Sequence, residues 1–395
     1  MTSNGADKAV VEYDLVLKGG TVIDPVQGLH GKMDLALKAG KIAAIKERLD
    51  ADGDRMVDVA GSMVVAGLID LHTHVYWGGN SLSIDPESVL KRSGVTTWVD
   101  AGSAGAGNFR GFYEFIILKS RVRIIPFLNI AFAGIFGFMP NRSQANPVTV
   151  VGELCDIRLA HLEAALETAG KYADIIAGIK IRSGVDDSCG HSGIEPVLTA
   201  KKAAEKIEKP LMVHIGYPPP TTAELLAVLD KGDILTHCFR GEPNSLLDAQ
   251  GRVLDELSAA RHRGVRIDIG HGAGSFSFNT ARKMLEYGIE PDVISSDLHA
   301  FSINGPAHDL PTTMSKMLNL GMPLDNIIQA VTHHPAKAVG YEKELGSLEV
   351  GTTGDVSVLE LESGEFLFQD CFGSELTAEK RLVPVMTIKD GEILG

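Results

Sequence analysis

The chain has 395 residues, 44% of them apolar and 22% charged, a balance that suits a soluble globular protein of one large domain with a minor companion. A formal net charge of −14 repels phosphate backbones and argues against nucleic-acid binding. No apolar run is long enough to span a bilayer, and Met1–Asp7 carries no secretory pattern, so a cytoplasmic protein away from the membrane is expected.

The first elements are short strands separated by turns. Tyr13–Leu17 and Thr21–Ile23 flank Gly19-Gly20, and Met33–Leu37, Lys41–Ile45 and Met63–Val65 follow. From about Ala66 the pattern changes to β-rich runs alternating with helical stretches. The runs are Gly67–Asp70, Val95–Asp100, Ile124–Asn129, Ile175–Ile181, Leu211–Ile215, Ile234–Thr236, Val265–Ile269 and Val293–Ser296. Helices are predicted over Glu153–Lys171, Ile194–Ile207, Thr221–Leu229 and Val253–Arg263. Eight strands, mostly followed by helices, indicate an α/β fold, a (β/α)8 TIM barrel. A doubly wound open sheet is the alternative, but no G-x-G-x-x-G turn follows the first strand. Strand patterns return at Asp355–Leu361, Phe366–Phe368 and Arg381–Lys389. The expected division is a barrel over residues 66–346 and a small β-sandwich built from residues 1–65 and 347–395.

Several barrel strands end in residues that carry chemistry. Gly67-Leu68-Ile69-Asp70-Leu71-His72-Thr73-His74 closes an apolar strand with two histidines one residue apart. Strand alternation points both to one side, at the C-terminal rim where barrel enzymes place their active sites. Lys180 lies inside the apolar run Ile179–Ile181, where an ammonium is costly unless paired or neutral. It is either a snorkelling lysine or an amine of depressed pKa that can take up CO2 as a carbamate. His214 and His237 end the next two strands, and neutral imidazole is a frequent ligand for zinc and similar ions. Asp297 ends the last strand, as a helix cap or as a ligand and proton acceptor. The four cysteines, Cys155, Cys189, Cys238 and Cys371, are scattered and form neither a disulfide framework nor a thiolate zinc site.

H-x-H, Lys, His, His and Asp at the ends of strands one, four, five, six and eight resemble the metal signature of the amidohydrolase superfamily. The β-rich ends, Thr332-His333-His334-Pro335-Ala336 and Gly346–Asp355 extend the resemblance over nearly the whole chain. Gly94-Val95-Thr96-Thr97, Gly178-Ile179-Lys180 and Ser295-Ser296-Asp297-Leu298-His299 look like its amidohydrolase/deacetylase branch, often labelled dihydroorotase-like. The resemblance implies two divalent metal ions, with zinc suited and manganese, iron or cobalt also able to bind. His72, His74 and Asp297 would hold the more buried ion, His214 and His237 the more exposed one, and carboxylated Lys180 would bridge them. Asp297 would be the catalytic residue that takes the proton of the attacking water and passes it to the leaving group.

Dihydroorotases typically carry an arginine shortly after H-x-H, and this chain reads His74-Val75-Tyr76-Trp77-Gly78-Gly79 there. The deacetylase branch therefore fits better than a cyclic-amide hydrolase, and all six filled ligand positions disfavour a non-enzymatic scaffold. That branch implies removal of acetyl from the nitrogen or oxygen of an α-substituted carboxylate, such as an N-acetyl-D-amino acid or acetyl-(R)-mandelate. A homo-oligomer is common in it. Candidate contacts for such a small anionic substrate are Arg182, Tyr217 and His271, each with a plainer reading as an ion-pair partner, a loop-packing residue and a structural histidine. The apolar loop over residues 134–140 reads either as a lid or as a subunit contact.

Overall fold

The fold is described from a computed structural model, over residues 11–53, 55–136, 152–185 and 189–394. The first part of the chain forms β1 (Val11–Tyr13), β2 (Leu15–Asp24), β3 (Leu29–Lys38), β4 (Lys41–Lys46), β5 (Ala51–Gly53), β6 (Met56–Asp58) and β7 (Met63–Ala66). Seven barrel strands follow: β8 (Leu68–Thr73), β9 (Val95–Asp100), β10 (Arg123–Asn129), β11 (Gly178–Arg182), β12 (Leu211–His214), β13 (Ile234–Thr236) and β14 (Arg266–Asp268). They pair in chain order, every pair parallel.

The eighth run forms no regular strand among the described residues, yet it closes the ring. Val293 bridges Asp268 on one side, and Leu298 bridges Thr73 on the other. Its backbone is held by side chains as well. The Ser296 amide donates to Asp70 Oδ1 at 2.9 Å, and the Ser296 hydroxyl donates to Asp70 Oδ2.

Helices α1 (Leu90–Ser93), α2 (Phe109–Phe115), α3 (Leu162–Lys171), α4 (Glu195–Lys206), α5 (Thr222–Val228), α6 (Asp255–Arg263) and α7 (Phe278–Glu286) follow successive strands. After the ring closes come α8 (Leu310–Asn319), α9 (Leu324–Val331) and α10 (His333–Ala338). The predicted helix over Glu153–Lys171 begins only at Leu162, where the His161 ring nitrogen caps the Ala164 amide. Thr221 and Glu224 start α5 with a reciprocal capping box.

The alternation that packs the barrel also aims its candidate site residues. Along β12, Leu211 and Val213 join a buried cluster with Ala200, Leu225, Leu257 and Met284 of the surrounding helices. Met212 lies in a second cluster with Val99, Phe127 and Ile234, and by strand alternation His214 shares its face.

The C-terminal part adds β15 (Val356–Gln369), β16 (Glu375–Lys389) and β17 (Glu392–Ile393). One sheet runs β17-β16-β15-β7-β2-β3-β4 with β6 beside β2, so both ends of the chain build it. The β15–β16 hairpin is long enough to leave this sheet and run along the barrel. Asn319 of α8 donates to the Lys380 carbonyl, and the Leu382 amide donates to the Ser315 hydroxyl. The hairpin tip lands beside the loop before α7: the Cys371 amide donates to Phe276 O, and the Phe278 amide donates to Asp370 Oδ2.

Candidate metal centre

His72 lies in β8, His74 one residue past it, Lys180 in β11, His214 at the end of β12, His237 one residue past β13, and Asp297 in the segment that closes the barrel. All six side chains meet at this rim. His72 Nε2 lies 3.4 Å from Lys180 Nζ and 3.4 Å from Asp297 Oδ1. His74 Nε2 lies 3.3 Å from the same Asp297 oxygen. His214 Nδ1 and His237 Nε2 approach to 2.6 Å, and the rings of His72 and His237 are 5.1 Å apart. Ligand atoms of His72, His237 and Asp297 all fall within 4.8 Å of one another.

The outer nitrogens fix which inner atoms carry lone pairs. His237 Nδ1 donates to the Gly270 carbonyl at 2.7 Å, which leaves Nε2 as an acceptor facing inward. The Thr236 hydroxyl donates to Asp268 Oδ2 at 2.6 Å and receives His72 Nδ1–H at 2.8 Å. The lone pair on His72 Nε2 then points at Lys180 and Asp297. Such outer partners set the tautomer and orientation of a metal-binding imidazole. Ser103 bonds His74 Nδ1 at 2.9 Å, and its own amide donates to Asp100 Oδ1.

Burial pushes His72, His214 and His237 well below the ordinary imidazole range, and His74 down to about 3. Four neutral imidazoles therefore stand side by side, the form that binds metal. Burial also pulls the Lys180 amine well below its usual range and lifts Asp297 to about 6. Gly102, at φ +79°, leaves the space that Lys180 fills: a Cβ there would lie 2.5 Å from Lys180 Cβ.

The residues fit a bound cation on two observations. Asp297 Oδ1 and His214 Nε2 are buried with no hydrogen-bond partner among the described residues, a costly state for polar atoms unless something else is bound there. His237 and Asp297 hold φ of +72° and +45°, a backbone region that non-glycine residues rarely occupy. Strain of this kind concentrates at sites where side-chain position matters.

The three expected substrate contacts have protein partners. Arg182 Nη1 sits 3.1 and 3.2 Å from the carboxylate oxygens of Glu153, both residues being buried. The Tyr217 ring lies 4.9 Å from the Arg240 guanidinium carbon. His271 stacks on Phe276, its Nδ1 bonds Gly272 O at 2.9 Å, and its Nε2 lies 2.7 Å from Lys316 Nζ. His299 accepts the Phe301 amide and faces His74 with ring centres 6.2 Å apart. Residues 137–140 of the apolar loop lie outside the described residues.

Sequence reasoning missed Asp100, Ser103, Thr236 and Asp268. The available signal is positional: Asp100 and Asp268 end the second and seventh barrel strands, as Asp297 follows the predicted eighth run Val293–Ser296.

The sequence model described as "Amidohydrolase family" matches residues 63–394. The chain belongs to the amidohydrolase family. It is 40% identical over 337 residues to a protein from Brucella anthropi named deacetylase, covering 85% of this chain and 81% of that one. A protein named deacetylase from Enterococcus faecalis is 32% identical, covering 97% and 99%. Among solved structures, one titled as a dihydroorotase superposes with TM-score 0.87 at 34% identity over 97% of this chain and 99% of that one. Another, titled as an adenine deaminase, also gives 0.87, at 32% identity over 96% and 99%. This amidohydrolase is thus a TIM-barrel hydrolase of amide or ester bonds. Among its described residues, no helix is long and apolar enough to cross a membrane.

Proposed function

We propose that this amidohydrolase is a deacetylase that uses two divalent cations, with zinc as the ion best suited. It releases acetate from N- or O-acetylated α-substituted carboxylates such as N-acetyl-D-amino acids and acetyl-(R)-mandelate. His72, His74 and Asp297 would hold one cation, and His214 and His237 the other. Lys180 would supply a ligand shared by both ions once its neutral amine adds to CO2, forming an N–C bond and losing a proton to give an anionic carbamate. The bound cations would polarise the scissile carbonyl and acidify a water molecule. Asp297 takes a proton from the attacking water and delivers it to the leaving nitrogen or oxygen. In this reading the protein acts in the cytoplasm, as a homo-oligomer, on a small anionic substrate.

The observation that carries the substrate reading is likeness to proteins named deacetylase, reaching 99% of the length of the Enterococcus faecalis relative. The stretch after His74 supports it. Tyr76 packs on Phe112 with ring centres 4.8 Å apart, and Trp77 is exposed, where a dihydroorotase would carry its arginine. An acetate-release screen across D- and L-configured N-acetyl amino acids and O-acetyl hydroxy acids tests the proposal. Acetate release with a preference for one handedness is expected. Ring opening of dihydroorotate with no acetate release would replace this reading with that of a cyclic-amide hydrolase.

A further inference from the structure

Lys316 is a wholly buried lysine that the chemistry above does not use. Its ammonium has three hydrogens and meets three acceptors: His271 Nε2 at 2.7 Å, Pro306 O at 2.8 Å and Gln369 O at 2.8 Å. The faces of Phe276 and Phe278 lie about it at 5.8 and 6.0 Å, within reach of a cation–π contact. The three acceptors belong to distant parts of the chain: the loop after β14, the loop before α8, and the end of β15 at the hairpin tip.

Two of these partners lead to Asp297. The His271 amide donates to Ser295 O and the Gly272 amide to Ser296 O, so this loop is bonded along the segment that carries Asp297. Gly272, at φ +54°, lies flat against the carboxylate: a Cβ there would come 2.4 Å from Asp297 Oδ2. The loop that holds Pro306 also carries Ser302, whose hydroxyl donates to the Asp297 carbonyl at 3.0 Å. Asp297 itself holds the left-handed backbone noted above, which persists only where the surroundings over-determine it.

We infer that Lys316 is a positioning residue for the reaction, tying the tip of the C-terminal hairpin to the two loops that hold the carboxylate of Asp297 in place. The hairpin is then part of the active-site support and not only an extension of the small sheet. The inference rests on the reading of Asp297 as ligand and proton carrier, and it goes beyond that reading by naming what holds it.

The test uses the metal-loaded full-length protein. Lys316→Met keeps the length of the side chain and removes all three hydrogen bonds. Amide exchange is expected to rise together over residues 270–272, 295–298 and 369–372. The visible spectrum of the cobalt-substituted protein should change, and affinity for the ion in chelator competition should fall. With a substrate from the acetate screen, kcat should fall about 10- to 100-fold while KM stays within roughly threefold, as for outer partners of a metal site. A rise in exchange confined to 369–372, with cobalt spectrum and kcat unchanged, would overturn the inference and leave Lys316 as a fastener of the hairpin. Spectrum, affinity and exchange need no substrate, so a wrong substrate class would not be mistaken for failure here.

If Lys316→Met does not fold, the pair His271→Leu and His271→Gln makes the same test. The glutamine oxygen can accept from the ammonium and should preserve the cobalt spectrum, whereas leucine should alter it. Equal spectra in the two variants would contradict the inference.

Discussion

Thr236 offers a sharp test of how the barrel prepares His72. Its hydroxyl sits between His72 Nδ1 and Asp268 Oδ2, at 2.8 and 2.6 Å, and is fully buried. Thr236→Val keeps the shape and deletes both bonds. A buried N–H left without a partner costs about 1–3 kcal/mol. The imidazole can avoid that cost by moving its proton to Nε2, which then donates toward Lys180 and Asp297 and no longer offers a lone pair. Either route weakens cation binding, by about 10- to 100-fold on the scale of outer-partner substitutions at metal sites. That range corresponds to about 1.4–2.8 kcal/mol. His72 Nδ1 already lies 3.6 Å from Asp268 Oδ2, so a small shift can recover one bond and bring the loss toward the lower figure. Chelator competition on the purified variant reads the affinity directly, with a thermal melt to show that it is folded. An affinity within twofold of the wild type, in a folded variant, would refute the reasoning.

Asp297→Asn should lower kcat by about 10²- to 10⁴-fold, the usual contribution of a positioned proton carrier, with a smaller change in KM, measured on a substrate that releases acetate. A further expectation concerns the sheet built from both ends of the chain. Burial raises the Asp34 pKa, but the Lys18 ammonium at 2.5 Å and the Leu49 and Gly19 amides outweigh it and hold the carboxyl below its ordinary range. A depressed folded pKa contributes stability above the unfolded value, and that stability is lost as pH falls through the folded one. Asp34→Ala should therefore melt well below the wild type at pH 7, by about 2 kcal/mol for bonds to a charged group, and the gap should narrow below pH 4. Thermal melts of both proteins from pH 3 to 7 check the trend.

The candidate ligand positions are legible because each breaks a local rule. His72 follows Leu71, Lys180 lies between Ile179 and Ile181, and His214 follows Leu211-Met212-Val213, so each is a polar residue set against apolar neighbours, and the regular spacing of strands and helices places those strand ends on one rim. The supporting groups break no rule. Thr236 and Ser103 are hydroxyl residues of a common kind, and their partners Asp268 and His74 belong to neighbouring strand ends far away in sequence, so only the closed ring shows the pairing. The apolar start of the run Val293–Ser296 predicts a strand for the closing segment. It pairs by single bridges because side chains, with Asp70 on Ser296 and Ser295 on Asp268, take part of the role of a backbone ladder. The hairpin tip was illegible for another reason. Its contacts join Gln369 to Lys316 and Asp370 to Phe278, separations over which sequence pattern carries no signal. Arg182 had two chemically reasonable partners, a substrate carboxylate or an internal acid. Glu153 takes the side chain in this structure, at 3.1 Å.

The pairing of Lys180 with the four imidazoles and Asp297 is best tested by counting metal. Elemental analysis of the purified protein and of Lys180→Ala, each confirmed folded, should find about two divalent ions per chain in the first and most of that content gone in the second. Two ions retained without the lysine, or none in the wild type after growth with added metal, would contradict a centre built around a bridging Lys180.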